Sequence, residues 1–307
     1  MAGGGDSTRA IFFALGANFA IAVAKGVAAF FTGSSAMLAE TVHSFADCGN
    51  QLLLLLGLRQ AKQPPSPDYP LGYGKEVYFW SFLVALMLFS VGGVFSLFEG
   101  IHKLQHPEPI KHWYWAVGVL TFGIIAEATS MRACMQEVNK ARGSRTLWQW
   151  FRQSRQAELV VIFGEDLAAL LGLVFALAAV VMSVVTGNPL WDAIGTVAIG
   201  ALLVIVAVFV AIEVKAMLIG QSVDPVREQE MRGFLAAREE VDRVISLITL
   251  QLGNEVMVAV QAEMRDSQAT THQLAEEINR IERAFKAQFP EVRWSFFEPD
   301  LKPQPGR

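Results

Sequence analysis

The sequence predicts a membrane all-α bundle of six transmembrane helices, followed by a small C-terminal α+β cytoplasmic unit. Three observations predict it. Of the 307 residues, 53% are hydrophobic and only 18% charged, and the mean hydropathy is +0.37, too apolar for a soluble domain of this length. The apolar residues also fall in blocks long enough for a helix to cross about 30 Å of hydrocarbon. After Gly220 these blocks stop, and residues 222–300 hold 15 Asp/Glu against 9 Lys/Arg. The expected division is a transmembrane domain over residues 1–220 and a cytoplasmic domain over 221–307.

The blocks read as spans Thr8–Phe31, Met37–Leu58, Val77–Ile101, His112–Met135, Glu158–Thr186 and Leu190–Leu218. Met1–Thr8 is short, Gly-rich and without a basic region, so no cleavable signal is expected there. Thr32-Gly33-Ser34-Ser35 and Thr186-Gly187-Asn188-Pro189 are turn sequences, so spans one and two, and spans five and six, should form tight antiparallel hairpins. Gly16, Ala20, Ala24 and Ala28 recur every fourth position in span one, a small-residue stripe that lets another helix approach closely. Arg59, Lys62 and Lys75 follow span two. Lys140, Arg142, Arg145, Arg152 and Arg155 follow span four, whereas the loop after span three has only Lys103 and Lys111. The positive-inside rule then puts both termini in the cytoplasm, with a bacterial inner membrane the expected location.

Beyond Gly220, Asp224-Pro225 reads as a helix start. Val244–Leu252 and Glu255–Met264 alternate around Gly253-Asn254, a hairpin signal. Thr270-x-x-Gln273 reads as a capping box opening a helix with Leu274, Ile278, Ile281 and Phe285 on one face. Val292, Trp294 and Phe296 alternate in a last strand. The acidic balance argues against a nucleic-acid partner. Cys48 and Cys134 lie inside apolar blocks and give neither a disulfide framework nor zinc-finger spacing.

Ionisable groups inside spans carry the functional information, because each costs about 2.5–3.5 kcal/mol at the bilayer centre on insertion scales. Span two carries His43 and Asp47, one turn apart on one helix face, and Glu40 and Asn50 extend the stripe. Span five carries Glu165-Asp166. One imidazole and two carboxylates, His43, Asp47 and Asp166, make a nitrogen/oxygen metal site suited to Zn²⁺ and acceptable to Fe²⁺, Mn²⁺ or Co²⁺. Against this, a membrane histidine often only bonds a neighbouring helix, and an aspartate can pair with a lysine such as Lys25. Glu165 is about 100° round the helix from Asp166, so it either supports a ligand or faces another helix. Glu127 in span four could carry protons, bind metal or pair with a basic group. Cys48 points off the ligand face and is expected to pack.

Gly33-Ser34-Ser35-Ala36 with Ala39-Glu40-Thr41-Val42-His43-Ser44-Phe45-Ala46-Asp47 resembles the second-span signature of the cation diffusion facilitator family. The similarity continues through Tyr69-Pro70-Leu71-Gly72-Tyr73-Gly74-Lys75, His106-Pro107-Glu108-Pro109-Ile110, Glu165-Asp166-Leu167-Ala168-Ala169, Thr186-Gly187-Asn188-Pro189-Leu190-Trp191-Asp192 and Pro290-Glu291-Val292-Arg293. It covers nearly the whole chain and looks most like the subgroup that includes the mitochondrial zinc exporter. The resemblance implies a homodimer, six spans, a ferredoxin-like cytoplasmic domain, and metal-for-proton antiport through a site shared by spans two and five. There are departures. Ile162 stands where the family commonly has a fourth ligand, leaving Asn50, Glu165, Glu127 or water to complete the shell. Asp68, Tyr69 and Tyr73 replace the usual loop site. Ser246, Glu276 and Phe296 replace histidines of the cytoplasmic domain.

The expected function is efflux of a divalent metal cation, Zn²⁺ first, exchanged for protons. The metal is substrate, with no cofactor and no enzymatic activity. The alternatives are an Fe²⁺/Mn²⁺/Co²⁺ exporter of the same family, a sensor that binds without transporting, and an intramembrane metalloenzyme. The last lacks His-Glu-x-x-His and any evident nucleophile–base pair.

Overall fold

The computed structural model describes residues 4–266 and 269–301; Met1–Gly3 of the amino-terminal lead lie outside these. Helices α1 (Gly4–Thr32) and α2 (Ser35–Gln60) form the first hairpin. The third apolar block is one continuous run of α3 (Glu76–Met87), a π-helical segment (Leu88–Val94) and α4 (Phe95–Gln105). Then come α5 (Trp113–Arg142), the short α6 (Leu147–Gln153), α7 (Ala157–Thr186) and α8 (Leu190–Ile219).

Among the described residues four helical runs are long and apolar enough to cross a membrane: Glu76–Gln105, Trp113–Arg142, Ala157–Thr186 and Leu190–Ile219. In α1 the described apolar part is the shorter Asn18–Thr32. Helix α2 is 26 residues long, but its polar stripe and Arg59 lower its hydropathy. The small-residue stripe of α1 packs only in part. Gly16, Ala20 and Ala24 are exposed, Ala28 is buried in the core as expected, and α1 also buries Ala22, Lys25 and Ala29. Size alone does not fix which face turns inward; Lys25 does, by finding its partner on α2.

Two apolar clusters hold the bundle. One joins Met37 and Ala39 of α2, Leu120 of α5, Leu173 and Ala176 of α7 and Leu203 of α8. The other joins Leu54 of α2, Cys134 and Val138 of α5, Val160 and Val161 of α7 and Val214 of α8. Along α2, α5 and α7 the interval between the clusters contains Glu40–Asn50, Glu127–Ser130 and Glu165–Asp166. The apolar packing therefore stacks every candidate ionisable residue into one layer.

The α5–α7 connection was expected only as a basic loop. It folds into α6, started by a Thr146/Gln149 capping box, and its arginines are structural as well as topogenic. Arg152 pairs with Glu213 and Arg145 with Asp224, and Arg155 Nε donates to Ser222 O at 2.6 Å. Two of these contacts hold the linker after α8 and the third holds α8 itself.

Past Gly220 come α9 (Pro225–Ala236), β1 (Val241–Leu252), β2 (Glu255–Met264), α10 (Thr271–Gln288) and β3 (Val292–Pro299). The element order is the expected one. The three-stranded sheet runs β1-β2-β3, with β1 antiparallel and β3 parallel to β2. Strand β1 starts three residues before the alternation suggests, because irregularities at Val241/Arg243 and Val244/Ser246 shift its register. Asp224 caps α9 and Thr270/Gln273 form the capping box of α10. Gly253, at φ +65°, makes the hairpin turn and donates its N–H to Tyr78 Oη at 2.9 Å, docking the turn on α3.

Candidate metal centre

His43 and Asp47 lie one helical turn apart on α2, with Nδ1 and Oδ1 3.5 Å apart, too far for a good hydrogen bond. His43 is fully buried. Neither of its ring nitrogens has a hydrogen-bond partner, and nor does Asp47 Oδ1. Buried polar atoms are nearly always partnered, so such orphans call for an explanation. The π-helical segment adds to the setting: a Cβ on Gly92 would lie 3.8 Å from His43 Nδ1. A π-turn widens the helix locally and recurs at functional sites; only the Gly92-Gly93 pair hinted at it in the sequence.

The two neighbouring carboxylates of α7 face different helices. Glu165 is buried and accepts from Asn50 Nδ2 at 2.6 Å, which ties α7 to α2. Asp166 accepts from Ser130 Oγ of α5 at 3.2 Å. Glu165, not Asp166, therefore bonds the helix that carries His43. Asp47, Glu127, Glu165 and Asp166 nevertheless lie within electrostatic reach of one another, and Glu127 joins this group from α5. In this conformation, and among the described residues, no three His, Cys, Asp or Glu side chains converge closely enough to hold an ion. Asp166 is turned toward Ser130, and Asn50 occupies Glu165.

Lys25 does not pair with an aspartate. Its Nζ donates to Glu40 Oε2 at 3.2 Å and to Ser44 Oγ at 2.7 Å, so Glu40 belongs to an ion pair rather than to the His43 stripe. Cys48 is buried and, among the described residues, belongs to no cluster that could hold a metal. Ile162 shares the Asp166 face and is 38% exposed; that face of α7 opens outward rather than into the packed core. In the loop before α3, Tyr69 packs against Tyr73 with ring centroids 4.6 Å apart and the planes tilted by 39°, and Asp68 is exposed. In the carboxy-terminal unit Ser246 is in β1, Phe296 in β3 and Glu276 on α10 beside His272.

Sequence reasoning missed Ser130 and Asp192. Ser130 could have been found as the residue three after Glu127, on the same helical face. Asp192 was read only as part of a motif. It is fully buried and accepts from Ser34 Oγ, Ser35 N, Ser35 Oγ and Ala36 N at 2.5, 2.8, 3.0 and 3.4 Å.

Residues 11–219 match the family model for the cation efflux transmembrane domain. The chain is 30% identical over 302 residues to the proton-coupled zinc antiporter SLC30A9, mitochondrial, of Xenopus laevis, covering 86% of this chain and 54% of that protein. It is 31% identical over 232 residues to the human protein of the same name, covering 75% and 41%. It is 32% identical over 238 residues to metal tolerance protein C4 of Arabidopsis thaliana, covering 77% and 52%. The chain thus spans about half the length of the curated relatives it matches.

Proposed function

Because this chain belongs to the cation efflux family, near the mitochondrial zinc antiporter subgroup, we propose that it exports a divalent metal ion, Zn²⁺ first, in exchange for protons. Members of this family are transporters, not enzymes. The observation that carries the reading is the set of unpartnered buried atoms, both nitrogens of His43 and Asp47 Oδ1, in a layer shared with Asp166 and Glu127.

His43, Asp47 and Asp166 are the metal ligands of the proposal. Asp166 leaves Ser130 and turns toward α2 when the ion arrives, while the Asn50–Glu165 bond holds the two helices in register. Water or Glu127 completes the shell, which Zn²⁺ tolerates with three protein ligands. Metal binds only deprotonated ligands, so proton entry from the opposite side competes with the ion and ejects it. The oxygen-rich layer also supports a second reading, in which Fe²⁺, Mn²⁺ or Co²⁺ is the cargo.

The test is flux into proteoliposomes with a pH gradient, across Zn²⁺, Fe²⁺, Mn²⁺, Co²⁺ and Cd²⁺. Proton-driven flux of Zn²⁺ above the others is expected. Absence of driven flux for all five ions overturns export.

The proposal includes six spans, with α1 and α2 joining the four apolar runs, and a ferredoxin-like unit over residues 221–307. Both termini lie on the side rich in Lys and Arg. The two SLC30A9 relatives named above are mitochondrial proteins, which lends no support to a bacterial inner membrane; the proposal fixes the orientation and not the compartment. It also includes a homodimer formed through the carboxy-terminal unit without metal, since Ser246, Glu276 and Phe296 offer no histidine. Sedimentation in chelator should show a dimer; a monomer that dimerises on adding Zn²⁺ would refute this.

Ile162 offers a way to tune selectivity. It is outside the packed core, so Ile162→His should fold normally. One turn before Asp166, the added imidazole should raise the Zn²⁺/Mn²⁺ uptake ratio by about ten-fold. An unchanged ratio in a well-folded variant means that position 162 does not face the metal.

A further inference from the structure

Of the five histidines, His102, His106 and His112 lie between the end of α4 and the start of α5, and the carrier layer uses none of them. Two stand on one face of α4. His102 and His106 are one helical turn apart and both exposed, with ring centroids 5.2 Å apart and planes tilted by 33°. Phe98, one turn earlier, stacks on His102 at 6.5 Å. These contacts engage the ring faces. Among the described residues, no hydrogen bond or ion pair uses a nitrogen of either ring.

The backbone holds this pair in place. His106 N–H donates to His102 O at 3.0 Å, so the helical spacing persists to the end of α4, and Pro107 cannot continue the helix beyond it. Between the two histidines Lys103 is buried and donates to Gly33 O at 3.0 Å, which pins this end of α4 to the α1–α2 turn. Its charge is engaged there and by Glu108 at 4.0 Å. The C-terminal end of a helix also favours a bound cation.

Two imidazoles four residues apart on one helix face are a recurring way to hold a borderline divalent metal. With Zn–N bonds of about 2.0–2.1 Å and a tetrahedral angle, one ion shared by two rings sets their centroids about 5 Å apart, the spacing found here. We propose that His102 and His106 form a second divalent-metal site, a two-imidazole surface site for Zn²⁺ or a similar transition-metal ion, with water filling the other positions. Ring packing alone would be served equally well by phenylalanine, as Phe98 shows. Helix α4 ends on the side poor in Lys and Arg. On the export reading, on which this role rests, the pair meets the ion as it leaves the carrier.

The experiment is calorimetric titration of the full chain in detergent with Zn²⁺, in a His43→Ala/Asp47→Asn background that silences the carrier layer. Adding His102→Phe/His106→Phe keeps the ring ladder and removes the ligands. The number of Zn²⁺ ions bound per chain should fall by one, with the melting temperature unchanged. His106→Phe/Leu104→His keeps two imidazoles but turns them about 200° apart around the helix, and should lose the same ion. If the phenylalanine variants aggregate, His102→Gln/His106→Gln reads the same loss. An unchanged stoichiometry without the two histidines, or an ion retained when they are two residues apart, overturns the site. Binding is read here without flux, so its failure leaves export standing. Protein that holds this ion yet moves none across the membrane would overturn export alone.

Discussion

Proteoliposomes carrying His43→Ala, Asp47→Asn or Asp166→Ala should show no proton-driven metal flux above empty vesicles, while the proteins remain monodisperse in detergent. The retention of fold follows from the same geometry as the loss of function. Both His43 nitrogens and Asp47 Oδ1 lack hydrogen-bond partners, so replacing these side chains strands few buried groups; removing one member of a made bond is what costs most. Asp166 has one bond, from a Ser130 that is itself exposed. Flux, in contrast, loses one of three ligands in each case. Ser130→Ala serves as the graded control. It orients Asp166 without touching the ion, and losses of that kind are about 10–100-fold in metal affinity. Wild-type flux in Asp166→Ala would end the assignment of α7 as a metal helix and leave Glu127 or Glu165 to be tested in its place.

Asp192→Ala should lower stability by about 3 kcal/mol or more, seen as a large drop in the detergent melting temperature and in the yield of folded protein. The carboxylate is fully buried at the start of α8 and accepts two backbone N–H groups and two hydroxyls from the first turn of α2. It thus caps α2 from another helix, where a negative charge is favoured by the helix dipole. Thr196 Oγ1 adds a bond to Ser35 Oγ at 3.2 Å, and Lys103 Nζ donates to Gly33 O at 3.0 Å. Asp192, Ser34 and Ser35 are all buried, so water does not readily take the place of these bonds. Asp192→Asn should fall between wild type and alanine, because an amide keeps one acceptor and turns a donor toward donors. A melting temperature equal to wild type in Asp192→Ala would mean that the α1–α2 turn is held by Lys103 and apolar packing alone.

The two predictions differ in how much the sequence supports them. His43, Asp47 and Asp166 stand out as charged residues in apolar blocks, and that signal needs no partner. Asp192 stands at the edge of a block, where a carboxylate after Asn-Pro reads as an ordinary helix start. Its burial against Ser34 and Ser35 depends on α8 crossing the first hairpin, and nothing within either segment encodes that crossing.

What the sequence determined by itself was local. Apolar block length located the helices to within a few residues, except that α5 continues seven residues past Met135 to Arg142; Gly33 and Gly187 marked the hairpins, and Thr270 with Gln273 started α10. Period-two alternation found β2 and β3, and failed at the start of β1, where the register shifts. Each of these signals lies within a few residues of chain, because helix periodicity, capping and turn conformation are set by neighbours three or four positions away. Only the tertiary structure decided which helix each side chain meets. It turned Glu165 to Asn50 and Asp166 to Ser130, gave Lys25 to Glu40 rather than to an aspartate, and buried only Ala28 of the Gly16–Ala28 stripe of α1. Adjacent positions on a helix point about 100° apart, so a small rotation of α7 exchanges the roles of two neighbouring carboxylates. That rotation is fixed by the packing of apolar clusters above and below the polar layer, through residues far apart in the chain.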